Sequence, residues 1–353
     1  MKAAIYHGPE DIRLDDIADA RLEQDHEMLV EVSATSICGS DLHLYRGAMD
    51  AFMERGKSQI GHELVGIVRE VGAAISKFSI GDRVSMAYSC SCGSCYMCEV
   101  GQTAHCETTQ KAVYGFGVPF GNLNGTHAEA MVLPHADAHA IKITDGIPDN
   151  AALLLSCNLP TAIIANELAS IQPGESVAIV GAGPTGLMCL DLALQKSPGA
   201  VCVLEPVAHR RELVIQKGVQ AINSADADAC EQAMVSCSGR GFDKVIEVVG
   251  SGTSLRMSLD IIRPGGTIAA MGVFTEQEFN LVLADVFLRD ISLHMNGFAN
   301  VQPYMEAGQK LLEAAIIDPD SYFSHEYSLS DIDQAFLTFS GKLDNAKKMI
   351  IRP

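Results

Sequence analysis

The stretch Ser176-Val177-Ala178-Ile179-Val180-Gly181-Ala182-Gly183-Pro184-Thr185-Gly186 decides the fold of the second half of this chain. A short buried strand, Ser176 to Val180, runs into G-x-G-x-x-G, and the segment Leu187 to Lys196 reads as a helix. The glycines permit a tight turn, close approach of backbone to a pyrophosphate, and close helix–strand packing. A helix opening there offers unpaired N–H groups and the positive end of its dipole to phosphates. An acidic residue is expected about 20 residues on, at the end of the next strand. Glu205 stands there, after Val201 to Leu204.

Working outward, strands are expected at Val201–Leu204, Lys244–Val249 and Thr267–Met271, separated by helical segments up to about Asn296. That alternation predicts a doubly wound parallel sheet. Upstream, Ala151 to Ala169 is helix-prone, with a break expected at Pro160. The first 150 residues read instead as short strands and turns, among them Leu29–Val32, Leu64–Gly72 and the turn Gly81-Asp82 into Arg83-Val84. Lys348 to Ile351 reads as a terminal strand that returns to the first domain, which makes the nucleotide domain an insertion. The expected division is 1–157 with 297–353 for a β-rich domain, and 158–296 for the nucleotide domain.

The β-rich domain carries the metal chemistry. Cys92, Cys95, Cys98 and Cys106 form C-x2-C-x2-C-x7-C. Four thiolates that close together suit one tetrahedral zinc with no open position, which staples a lobe at about 88–110. A second set, Cys38, His62 with Glu63, and Cys157, supplies two thiols and an imidazole. Zinc with three protein ligands keeps a fourth position for water or an alcohol. Asp41 is the candidate carboxylate for the second nitrogen of His62. Cys90 breaks the cysteine register and reads as a bystander able to compete for metal or to oxidise. Cys189, Cys202, Cys230 and Cys237 read as buried small hydrophobes.

Composition sets the outer bounds. The charged fraction of 20% and the apolar fraction of 48% fit a globular chain of about two domains. A net charge of −19 repels nucleic acid and anionic membrane surfaces. No apolar run approaches the roughly 20 residues that span a bilayer. The first residues read as strand rather than as a secretory segment, so a cytoplasmic protein without disulfides is expected from 11 cysteines.

Taken together, these motifs resemble the zinc-dependent alcohol dehydrogenases of the medium-chain dehydrogenase/reductase superfamily. The resemblance runs through Gly61-His62-Glu63-Leu64-Val65-Gly66, Val71-Gly72, Phe78 and Gly81-Asp82-Arg83-Val84. It continues through the four-cysteine lobe, Gly181 to Gly186 and Arg263-Pro264-Gly265-Gly266-Thr267. It implies a GroES-like catalytic domain around a Rossmann domain, with the active site in the cleft between them. It implies Cys38, His62 and Cys157 as catalytic zinc ligands, and Glu63 as a residue beside the metal or a transient ligand. Members differ at the third ligand, and polyol-type members commonly have a glutamate where this chain has Cys157. Ser40 matches the hydroxyl that takes the substrate proton, and His43 the relay to solvent. Thr161, Gly181, Gly183, Pro184, Thr185, Gly186, Glu205, Arg210 and Val273 fall at cofactor positions, and Tyr88 at a pocket-lining aromatic.

The implied reaction moves a hydride between an alcohol or ketone and a nicotinamide. The implied metal content is two zincs per chain, one catalytic and one structural. Glu205 would accept from ribose hydroxyls and repel a 2′-phosphate, which favours NAD over NADP; His209-Arg210-Arg211 is the counterweight. A secondary alcohol or diol is the expected substrate, with a sorbitol- or threonine-type dehydrogenase as the alternative. A zinc-free quinone or enone reductase is disfavoured because all seven metal ligands are present. The resemblance also implies a homodimer or homotetramer.

Overall fold

The computed structural model describes all residues from Met1 to Pro353. Its strands are β1 (Lys2–Gly8), β2 (Asp11–Asp16), β3 (Glu27–Ile37), β4 (Leu64–Val71), β5 (Arg83–Met86), β6 (Ala130–Pro134), β7 (Ala140–Lys142) and β8 (Ser176–Val180). They continue with β9 (Ala200–Leu204), β10 (Gln220–Ile222), β11 (Phe242–Glu247), β12 (Ile262–Ala270), β13 (Ser292–Met295), β14 (Phe323–Ser328) and β15 (Lys348–Arg352). The chain folds into two compact units, one of Met1–Pro160 with Asn300–Pro353, the other of Thr161–Ala299. Each boundary lies three residues later than the sequence expectation.

The first unit is built on β3. Its first half alternates, with Met28, Val30 and Val32 buried and Glu31 outward, so one face meets the core. Its second half is enclosed, with Thr35, Ser36 and Ile37 all fully buried. The change follows from pairing. β3 lies antiparallel to β4, with Thr35 opposite Leu64. Its far edge takes β6 at Glu27–Glu31 and β15 at Thr35–Ile37. The full sheet runs β14-β15-β3-β4-β5-β7, and the terminal strand does return to the first domain. Because β3 and β4 are antiparallel, the residues leaving β3 (Cys38 onward) and those entering β4 (His62, Glu63) meet at one end of the sheet. Met349 opposite Ile37 brings Lys348 to the same place.

The helix-prone stretch breaks at a different residue from the one expected. Helix Asp149–Leu153 and a 3-10 turn Leu154–Ser156 end at Cys157, whose φ is −150° and ψ −65°. Pro160 then sits inside the first turn of helix Asn158–Ala169. A proline there forfeits no hydrogen bond, because the first N–H groups of a helix have no partner in the helix. The bend therefore falls on the cysteine itself.

The second unit is a parallel sheet in the order β10-β9-β8-β11-β12-β13. That is the Rossmann order 3-2-1-4-5-6. Every residue of β8 is buried, as a strand covered on both faces requires. Val180, Leu204, Val245, Leu259 and Ile268 join one core. Helix Pro184–Leu194 packs Leu187, Met188, Leu190 and Ala193 inward. Val248 and Val249, expected within a strand, lie just past the end of β11 in a turn. Three of the four scattered cysteines are buried, and Cys230 is partly exposed.

Candidate metal centre and nucleotide loop

The ligand-type atoms of Cys38, His62, Glu63 and Cys157 all lie within 4.8 Å of one another. Three chain segments deliver them. Cys38 follows β3, His62 and Glu63 precede β4, and Cys157 sits at the bend. The bend is tied to β4 by Leu64 N–H donating to Ser156 Oγ at 3.1 Å. Gly61 makes the entry possible. Its φ is +98°, and a Cβ there would lie 2.7 Å from the His127 ring.

Asp41 connects the two ends. Its Oδ1 lies 3.0 Å from His62 Nδ1, and its Oδ2 accepts from Cys38 N–H at 2.8 Å. Accepting from Nδ1 leaves the Nε2 lone pair free for a metal. Ser40 Oγ stands 3.3 Å from that Nε2. Although Ser40 begins the helix Asp41–Tyr45, its side chain does not cap it. His43 lies one turn further along and is half-buried.

The electrostatics favour a thiolate in this pocket. The Cys157 thiol, donating toward Cys38, holds Cys38 well below the ordinary thiol range against its burial, and His62 adds to the effect. The same hydrogen bond, with burial, pushes Cys157 up. Burial opposes a charge on His62, but Asp41 beside it keeps its pKa well above the ordinary value. Two sulfurs, an imidazole and a nearby carboxylate, converging in a buried pocket, are a donor set that fits zinc.

Cys92, Cys95, Cys98 and Cys106 converge separately, again within 4.8 Å. Cys95 Sγ is 3.5 Å from Cys98 Sγ and 3.8 Å from Cys106 Sγ. Burial alone would raise Cys92, but hydrogen bonds from Thr108 and the Ser94 and Cys95 backbone bring it to about 6. Cys90 stays out of the cluster. It is 1% exposed in the sheet core, its thiol faces Pro134 O at 3.4 Å, and burial pushes its pKa up.

In the second unit the glycine loop has the shape of a phosphate cradle. Gly181 adopts φ +102°. A Cβ at Gly186 would lie 2.1 Å from Gly181 O, so only glycine permits this packing. Gly183 begins helix Pro184–Leu194 without a side-chain cap, and the first N–H groups of the helix have no partner within the helix itself. Glu205 is 3% exposed. Its Oε2 accepts from Ala182 N–H at 2.7 Å and its Oε1 from Val207 N–H at 2.9 Å. Each oxygen keeps a second lone pair for a ribose hydroxyl. Arg211 is bound to the Glu205 and Pro206 carbonyls at 3.0 and 2.7 Å. The Arg210 guanidinium reaches the loop, with Nη1 3.7 Å from where a Gly183 Cβ would stand.

Comparison with known proteins identifies the family. The Alcohol dehydrogenase GroES-like domain family matches residues 24–145, and the Zinc-binding dehydrogenase family matches residues 184–313. The chain is 32% identical over 353 residues to the "Probable zinc-binding alcohol dehydrogenase" of Mycobacterium tuberculosis, covering 100% of this chain and 89% of that one. This protein belongs to the zinc-dependent alcohol dehydrogenases. Among solved structures, alcohol dehydrogenase TADH from Thermus sp. ATN1 superposes with a TM-score of 0.92 at 30% identity, covering 100% of this chain and 99% of the other. The zinc dependent alcohol dehydrogenase 2 from Streptococcus pneumonia, in its apo form, gives 0.89 at 31% identity, with 100% and 98% covered. The chain is thus an alcohol oxidoreductase of the zinc-dependent, medium-chain type.

Within this alcohol dehydrogenase, some neighbours of the metal pocket were not among the residues expected from the sequence. Asn158 Nδ2 reaches Cys38 Sγ at 3.7 Å. Phe116 meets the His62 ring edge-on at 5.4 Å, beside the expected Tyr88 at 6.1 Å. Lys348 is 1% exposed, and its ammonium is bound to the buried carboxylate of Glu63. Asn158 adjoins Cys157 and was findable by position. Lys348 lies 285 residues from Glu63, and only strand pairing joins them. Thr161 lies on helix Asn158–Ala169, and Val273 follows β12.

Proposed function

We propose that this alcohol dehydrogenase transfers hydride between NAD(H) and a secondary alcohol or diol, with its ketone as the reverse substrate. The convergence of Cys38, His62 and Cys157, with Asp41 behind His62, carries this reading. We further propose two zincs per chain, one at that pocket and one at Cys92, Cys95, Cys98 and Cys106.

Bound zinc would supply Lewis-acid polarisation of the alcohol oxygen, and the nicotinamide would accept the hydride. The chain's own residues do the rest. Asp41 fixes the His62 ring and the Cys38 backbone, so ligand geometry is set before substrate arrives. Ser40 Oγ, placed beside His62 Nε2, takes the alcohol proton, and His43 passes it outward. Phe116 and Tyr88 flank His62 with apolar edges that keep water from that side. Gly181 to Gly186 and the helix behind them hold the pyrophosphate. The Glu205 carboxylate faces the ribose, which disfavours a 2′-phosphate and supports NAD; Arg210 beside Gly183 would neutralise phosphate charge.

The test is a panel of primary, secondary and polyhydric alcohols assayed with NAD and NADP on protein of known zinc content. Turnover of secondary alcohols with NAD, at about two zincs per chain, is expected. Activity confined to NADP, or to sugar polyols, would overturn the finer assignment. Full activity in zinc-free protein would overturn the mechanism.

A further inference from the structure

Glu247 ends β11 at the carboxyl edge of the parallel sheet and is fully buried. The proposed chemistry assigns it no part. Its Oε1 accepts from Val249 N–H at 2.7 Å and from Gly250 N–H at 2.8 Å. Its Oε2 has no partner at strict hydrogen-bond geometry, although the Ser254 hydroxyl and the Gly272 backbone also act on the carboxylate. A buried carboxylate is costly unless it is hydrogen-bonded or paired. What these bonds hold is the turn Val248-Val249-Gly250.

That turn backs the glycine loop. A Cβ at Gly181 would lie 2.7 Å from Val249 Cγ2 and 3.4 Å from Val248 Cγ2. At Gly186 it would lie 3.1 Å from Val248 Cγ2. The half-exposed Val249 therefore fills the space that a side chain on Gly181 would need, and Val248 abuts both glycines. Gly250, at φ +78°, abuts the next turn, where a Cβ would stand 2.4 Å from Val273 N. One carboxylate thus fixes a turn that touches the phosphate loop on one side and Val273 on the other.

We propose that Glu247 is a positioning residue for the dinucleotide, holding Val248 and Val249 as the wall that sets the backbone of Gly181 to Gly186. The proposal rests on reading that loop as the nucleotide site. Side-chain packing, rather than glycine alone, then determines where the loop N–H groups point.

The experiment is titration of the zinc-loaded enzyme with NADH, followed by nicotinamide fluorescence, alongside thermal unfolding. Glu247→Gln keeps an oxygen for both N–H groups, and its affinity should stay within about threefold of the parent. Glu247→Ala leaves one buried and one part-buried donor unpaired, and its affinity should fall about tenfold or more. The KM for NAD should rise in parallel, while kcat at saturating cofactor changes little. Val249→Ala leaves the carboxylate bonds intact and removes the methyl against Gly181; its affinity should fall severalfold with zinc content unchanged. Should Glu247→Ala fail to fold, Val249→Ala decides alone. Unchanged affinity in Val249→Ala, or Glu247→Gln as weak as Glu247→Ala, overturns the proposal. Failure of the parent enzyme to bind NADH or NADPH would instead overturn the nucleotide reading itself.

Discussion

Replacing Lys348 with Met isolates the buried ion pair beneath the metal pocket. The side chains of Lys348 and Glu63 are 1% and 0% exposed. The ammonium bonds Glu63 Oε2 and also donates to Ile37 O at 3.3 Å. Methionine keeps most of the volume, so the change removes charge more than packing. Glu63 would then retain only Ser36 Oγ as a donor to its Oε2, since Oε1 has no partner. At an effective dielectric of 20, two charges 2.5 Å apart interact by about 7 kcal/mol before desolvation is counted. Breaking a buried pair by removing one partner typically costs about 3–5 kcal/mol. We expect a loss in that range in guanidinium unfolding of zinc-loaded protein.

Burial pushes the Glu63 carboxyl up, and Lys348 is the main opposing influence. Without it, the folded pKa rises further above the unfolded value near 4.5. An acid raised in the folded state binds more protons there than when unfolded. Its contribution is intact below the unfolded pKa and is lost as pH rises through the folded one. In zinc-free protein the deficit of the variant should therefore widen with pH. Adding Glu63→Gln removes the stranded charge and should recover most of the loss. A single variant within about 1 kcal/mol of the parent, with zinc retained, would refute the argument.

Three further outcomes are expected. Cys92→Ser should release one zinc per chain, measured by metal analysis, and lower the unfolding temperature; unchanged metal content removes the structural assignment. Ser40→Ala should cut turnover by about a hundredfold or more while zinc and NADH binding persist, since it removes only the proton acceptor. Turnover at the parent rate would exclude Ser40 from proton transfer. Arg352→Gln should cost about 1 kcal/mol at neutral pH, because Arg352 bonds Asp149 at 2.8 Å from a partly exposed position. Burial opposes the Asp149 charge, but Arg352 and Arg83 hold its pKa below the unfolded 3.8. That contribution is complete above 3.8 and fades as pH falls through the lower folded value, so the two proteins should converge in acid. A gap that persists there would contradict the linkage.

The local signals in this chain were legible because each rests on short-range rules. G-x-G-x-x-G after an apolar strand needs only its neighbours to predict a turn, a helix start and an acid one strand later. The four-cysteine run brings its own ligands together within fifteen residues, from Cys92 to Cys106. Cys38, His62 and Cys157 were nameable as a set, and Asp41 as their support, from spacing and family resemblance. Tertiary structure decided the rest. The break at Cys157 rather than Pro160 depends on which turn of the helix the proline occupies. Lys348 under Glu63, and Val249 behind Gly181, arise from strand order and loop packing. Those contacts join residues far apart in the chain, and their energy exists only once the sheet has formed. Sequence alone therefore determined the chemistry each segment can offer, whereas which distant side chain holds it in place was set by the pairing of β3 with β4 and β15, and of β8 with β11.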